Sequence, residues 1–211
     1  TPGRRAVGLT LPGRDPEDTQ RTTRTLDDQA DAISAILDEM GGDAVLVGHS
    51  GANGPVSLVV DRHPELVHRI VWVDSGPMSD GGAFAPDLPE ETAELPLPDF
   101  DTLGKQASLE GLSNEHLDRF RARAVPEPAQ VARARVALSN SARHDVLTTL
   151  ICCSIPSVQV LELAAAGNPM FSAVAHLTNF TAMDLPTGHW PMWSRPQELA
   201  EAIREAATST S

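Results

Sequence analysis

Basic residues are scarce in this chain. Sixteen Lys and Arg stand against twenty-nine Asp and Glu, for a formal net charge of −13. A phosphate backbone would be repelled by that field, so the composition argues against nucleic-acid binding. Apolar runs are short, and none approaches the roughly 20 residues that a bilayer-spanning helix needs. No charged-then-apolar signal segment opens the sequence. The expectation is a cytoplasmic protein whose partner is a small molecule, not a membrane. No pattern specifies an oligomeric state.

Cysteine is nearly absent. Cys152 and Cys153 are adjacent, and neighbouring residues of a strand point to opposite faces, so a bridge between them would need a strained turn. Two buried small hydrophobes in a reduced compartment are expected. His63 and His68 lie five apart with no carboxylate or third ligand at a useful offset, which argues against a metal site. No glycine-rich phosphate loop follows a strand, and no cofactor is expected; the Gly41-Gly42 pair reads as a helix C-cap. Tyrosine is missing altogether while Ala, Arg and Pro are abundant, a compositional bias and not a functional signal.

The chain does have the content of one folded core. Its 211 residues, 41% hydrophobic and 21% charged, fit a single globular unit with room for a modest insertion. β-Branched and aliphatic runs predict strands at residues 7–10, 43–48, 69–74, 148–154 and 178–184. Thr25-Leu26-Asp27-Asp28 opens a helix carrying Ala30, Ile33, Ile36, Leu37 and Met40 at helical spacing. Further helices are expected over 53–63, from about 155 through 166, and from Pro196 to the end. Strands separated by helices imply parallel crossovers and an α/β, doubly wound, mostly parallel sheet. Residues 75–143 break the alternation. A Pro-, Gly- and acid-rich stretch comes first, then two helix-like segments near 113–124 and 127–139.

The most informative stretch is Val45-Leu46-Val47-Gly48-His49-Ser50-Gly51-Ala52. It reads as a strand, a sharp turn and the start of a helix, with a serine at the apex. A serine hydroxyl is a weak nucleophile until it is exposed and given an adjacent base. A strained strand-to-helix turn does the exposing, and it demands small residues two before and two after the serine. Gly48 meets the first demand; Ala52 stands where the usual pattern has Gly. Near the C-terminus, Leu185-Pro-Thr-Gly-His189-Trp-Pro follows the last strand and precedes the last helix.

On these two motifs the chain resembles the α/β-hydrolase superfamily, small bacterial serine-hydrolase-like members in particular, nearly collinearly from about residue 5 to 207. The resemblance implies Ser50 as nucleophile, His189 as base and the Gly51 N–H as one oxyanion donor. It also implies a core of residues 1–76 and 144–211 and a helical cap over 77–143 that shapes the pocket, against the plainer reading of a surface insertion. Met78 and Trp190 are the candidate pocket residues. His49 is expected to be a hydrogen-bonding neighbour.

The third triad member is less direct. In most of the superfamily the acid follows the penultimate strand. Here, between Ser154 and Met170, the one acid is Glu162, well inside a helix. Asp74 ends the strand after the elbow helix, at a site that haloalkane dehalogenases and some related hydrolases use, and is the preferred acid. Asp184, five residues before His189, is the second choice.

The resemblance also implies something missing. A second oxyanion donor normally sits on a loop after an earlier strand, often His-Gly, and the chain opens Thr1-Pro-Gly-Arg-Arg directly into the segment matching the next strand. A gap between the strands at 7–10 and 44–47, or their closure on one another, is therefore expected, and with it a crippled catalyst from a fragment of a longer protein. The implied function is a serine hydrolase cleaving a small uncharged ester or amide-like acyl substrate. A cofactor-free lyase and a non-catalytic small-molecule binder are the alternatives.

Overall fold

The computed structural model describes residues 6–41 and 43–209. Residues 1–5, which carry the expectation about the chain's opening, and Gly42 lie outside the described residues.

Helix α1 (Leu26–Met40) buries Leu26, Ala30, Ile33 and Leu37, one face at helical spacing. Thr25 and Asp28 cap it reciprocally, and Gly41 ends it with φ 74°. Strand β1 (Ala44–His49) follows, then a single tight turn at Ser50–Ala52, helix α2 (Asn53–Arg62) and strand β2 (Val67–Val73). The intervening segment holds a two-residue ladder between β3 (Glu94–Leu95) and β4 (Glu127–Pro128), with helices α3 (Phe100–Gln106), α4 (Asn114–Arg123) and α5 (Ala129–Arg133). The chain then completes the main sheet with β5 (Leu147–Cys152), α6 (Ser157–Ala165), β6 (Phe180–Asp184), the short α7 (Pro191–Ser194) and α8 (Pro196–Thr208).

The main sheet is parallel throughout, in the order β1-β2-β5-β6. Its two faces are sorted by the two-residue period of the strands. Ile70, Trp72, Leu150 and Cys152 join Ile33, Leu37, Val56 and Val59 in one core. Val71, Val73, Ile151 and Cys153 meet Leu199 and Ala206 of α8 in the other. Helices thus cover both faces, as parallel strands require. Cys152 and Cys153 are buried and unpaired, and burial pushes their thiols up to about 11 and about 12. Among the described residues no helix is long and apolar enough to cross a membrane.

Two expectations fail. No strand forms at residues 7–10; the segment is irregular, and Val7 and Leu9 stay exposed. The closure expected beside β1 therefore does not occur. A strand needs a neighbour to exchange hydrogen bonds with, and the outer edge of β1 pairs with no described residue. The helix expected over 127–139 shrinks to α5. Beyond it the chain is extended, burying Val136 and Leu138 and exposing Arg135, Ala137 and Ser139 in alternation. That alternation is locked by tertiary bonds: Val136 N–H to the Gly82 carbonyl and Gly81 N–H to the Val136 carbonyl, both 2.8 Å, and Leu138 N–H to Asp80 Oδ1 at 2.8 Å. Local helix propensity loses to these contacts. Conversely α3 was not expected; Asp99 caps it by accepting the Thr102 N–H at 2.8 Å.

Candidate active site

β1 and β2 pair with His49 opposite Val73. The next residues, Ser50 and Asp74, therefore leave the same end of the sheet side by side. Both turn sharply: Ser50 has φ 49° and Asp74 φ 41°, the two non-glycine residues with positive φ among those described. Such conformations cost roughly 1–3 kcal/mol each and persist where surrounding structure enforces them. Beside the turn, Gly48 is crowded chiefly by the neighbouring strand: a Cβ there would stand 3.0 Å from the buried Trp72 ring of β2 and 3.6 Å from Val56 of α2. The turn at Ser50–Ala52 leads into α2, so the Gly51 N–H belongs to a first helical turn, whose N–H groups lack intrahelical partners.

The Asp74 side chain is 6% exposed and fully engaged. Its Oδ1 accepts the Cys153 N–H at 2.9 Å and the Ser154 N–H at 2.8 Å; its Oδ2 accepts the Ser154 hydroxyl at 2.6 Å. His189 Nδ1 lies 2.6 Å from the same Oδ2. Burial alone would raise the Asp74 pKa. The hydrogen bonds from His189, Ser154 and Cys153 outweigh it and hold the carboxyl below its ordinary value. The group is an anion that orients the His189 ring through Nδ1 and leaves Nε2 for another partner. Among the described residues no hydrogen bond joins Ser50 Oγ to that Nε2; in unliganded sites such contacts are often loose.

The other candidate acids lie elsewhere. Asp184 accepts the Ser157 N–H at 2.7 Å and the Ser157 hydroxyl at 2.9 Å, capping α6. Glu162 is exposed on α6.

His49 Nε2 sits 2.7 Å from the His189 carbonyl oxygen, and the two rings are 4.7 Å apart. Burial, with the charge of His189 beside it, pushes His49 down to about 4. It is neutral at pH 7, so Nε2–H donates to the His189 carbonyl.

A cavity of about 780 Å³ opens over Ser50, lined by His49, Gly51, Met78, Trp190 and a largely apolar wall. The intervening segment supplies much of that wall, from Phe84, Leu95, Leu103 and Phe120 to Val131. Phe84 reaches within 3.7 Å of where a Gly51 Cβ would stand. An ion pair on the wall joins Arg14 to Glu127, with Gln29 beside it. Among the described residues no group of three His, Cys, Asp or Glu side chains could hold a metal ion. Ser154, Phe84 and Phe120 were not singled out from sequence. Ser154 had a signal, a hydroxyl at the strand end where the superfamily usually carries its acid.

The fold and site together define a parallel α/β architecture with a serine on a strained strand-to-helix turn. The chain belongs to the alpha/beta hydrolase family, whose model matches residues 2–202. Solved structures resemble it at low identity. An extracellular alpha/beta-hydrolase from a Paenibacillus species matches at TM-score 0.71 and 19% identity, covering 94% of this chain and 86% of that one. A methylesterase from Arabidopsis matches at TM-score 0.66 and 14% identity, with 94% and 85% covered. A pyrethroid hydrolase from Sphingobium faniae matches at 0.61 and 18%, with 95% and 85% covered. No curated protein sequence matches the chain.

Proposed function

We propose that the protein is a serine hydrolase that cleaves an uncharged carboxylic ester through an acyl-enzyme on Ser50. The observation that carries this reading is the 2.6 Å contact of His189 Nδ1 with a buried, three-times-bonded Asp74 carboxylate, on the strand next to the Ser50 turn. Ser50 Oγ attacks the acyl carbon as its proton passes to His189 Nε2. Asp74 holds the tautomer and stabilises the imidazolium that forms. The Gly51 N–H faces the developing oxyanion. His189 then returns the proton to the leaving alkoxide, the alcohol departs, and water repeats the sequence to release the acid.

The intervening segment over 77–143 acts as the cap of this site. The cavity is roomy enough for a drug-sized ester, and its Met78, Phe84, Phe120 and Trp190 wall favours an apolar acyl or alcohol group. That widens the small substrate expected from the sequence. Methylesterase and pyrethroid hydrolase relatives of the same fold fit an ester substrate.

Pre-steady-state hydrolysis of a chromogenic aryl ester tests the reading. A burst of phenol stoichiometric with enzyme is expected, and none from Ser50→Ala. Steady turnover without a burst, surviving Ser50→Ala, would overturn it and favour a Ser50-independent reaction.

A further inference from the structure

The intervening segment does more than roof the cavity: residues 108–111 lie directly against the turn that carries His189. The His189 N–H donates to the Ser108 carbonyl at 2.8 Å, and the Gly188 N–H to the Glu110 carbonyl at 3.2 Å. Space there is exhausted. A Cβ at Gly188 would stand 2.5 Å from the Glu110 carbonyl oxygen and 2.7 Å from that of Ser108. The fit is reciprocal, since Gly111 adopts φ +81° and a Cβ there would meet Ser194 Cβ at 2.7 Å. At Gly188 backbone meets backbone, and at Gly111 backbone meets the Ser194 side chain; neither point leaves room for a Cβ.

A second layer fastens the same two parts. Phe120 of α4 lies edge-on to Trp190 at 5.2 Å and to Trp193 at 5.3 Å, and His116 lies 5.9 Å from Trp193. Such aromatic pairs attract beyond the area they bury. His189 is thus held from three sides. Asp74 fixes its ring, His49 its carbonyl and Ser108 its N–H.

We infer that residues 108–111, with Gly188 and Trp193 as the points of attachment, form a positioning element for His189, so that displacing this part of the segment displaces the base. The inference rests on the reading of His189 as the base. The physical reason is rigidity. A main-chain bond on each side of the imidazole leaves the ring little freedom, and a shift of about 1 Å in a reacting group costs on the order of 100-fold in rate.

Gly188→Ala and Trp193→Leu test it, because neither side chain lines the cavity. Ile33→Val, a trim of the buried face of α1, serves as a stability control. Two readouts are taken: kcat and KM for an aryl ester, and the downfield proton resonance of the His189 Nδ1–H, which needs no turnover. Gly188→Ala is expected to lower kcat by on the order of 100-fold with KM changed far less, and to shift or abolish the resonance. Trp193→Leu is expected to move both in the same direction by less, and Ile33→Val to move neither. If Gly188→Ala does not fold, Trp193→Leu decides. An unmoved resonance and a kcat within about twofold of the parent in the folded variants would overturn the inference, even where the parent shows its burst. A parent without a burst whose resonance still moves in these variants would support the positioning element while the acyl-enzyme reading failed.

Discussion

Ser50 and Asp74 stand side by side at the ends of paired parallel strands, each one residue past the pair His49–Val73, and each with positive φ. Two neighbouring strands therefore end in the same uncommon turn. At Ser50 the turn lifts the hydroxyl into the cavity; at Asp74 it aims the carboxylate at His189. The strain of the Asp74 turn is offset by the bonds that Asp74 makes to Cys153, Ser154 and His189.

Replacing the acid should cost far more than its contribution to stability. Asp74→Asn can donate to His189 Nδ1 and so favours the wrong tautomer. We expect kcat to fall by on the order of 10,000-fold, measured in steady-state ester hydrolysis. Asp184→Asn, at a carboxylate that accepts from Ser157 and not from His189, should leave kcat unchanged.

Ser154 tunes the acid from the neighbouring strand. Ser154→Ala removes the 2.6 Å hydroxyl bond to Asp74 Oδ2 but leaves both backbone donors. Bonds to charged groups contribute about 1.5–3 kcal/mol, so a loss on the order of 10- to 100-fold in kcat/KM is expected. Ser154→Thr keeps the hydroxyl and should restore most of it. Equal activity in Ser154→Ala would remove Ser154 from the account.

Much of this was legible in the sequence because it is local. Gly48-His49-Ser50 announces its turn through side-chain size alone, and Asp74 and His189 each follow an apolar run that ends where a strand ends. Residues 134–139 were misread because Val131, Ala134 and Leu138 stand at helical spacing while Val136 and Leu138 alternate as in a strand; the bonds to residues 80–82 decide between them. Residues 7–10 were misread because strand propensity is realised only beside a partner. The bonds of Ser154 to Asp74 and of Ser108 to His189 join residues 80 or more positions apart, and no local pattern encodes them.

His49 should leave a signature in the pH dependence of stability. Its pKa falls from 6.5 to about 4 on folding, so between those values the unfolded chain binds the extra proton. Its contribution is complete above pH 6.5 and is lost as pH falls toward 4, at up to about 1.4 kcal/mol per pH unit. The depressed Asp74 pKa adds a loss in the same direction at still lower pH, below its unfolded value. Urea unfolding at pH 7.5, 5.5 and 4.5 should show a shallower decline for His49→Gln than for the parent. Parallel declines would contradict a buried neutral His49.

The elbow tolerates little bulk on its strand side. A Cβ at Gly48 meets Trp72 at 3.0 and 3.1 Å, and Trp72 is 1% exposed within the core. Gly48→Val should destabilise the fold by about 1–3 kcal/mol, seen as a lowered Tm in thermal unfolding. Gly81→Ala gives a contrast. A Cβ there meets nothing within 4 Å, so any loss at Gly81 reflects its positive φ and not crowding.

Whether Ser50 is the nucleophile is tested most directly by intact-protein mass spectrometry after exposure to a fluorophosphonate ester. The account predicts one adduct per chain, mapped by peptide analysis to Ser50, absent in Ser50→Ala and formed far more slowly in His189→Ala and Asp74→Asn. A protein that stays unmodified, or an adduct that persists in Ser50→Ala, would contradict it.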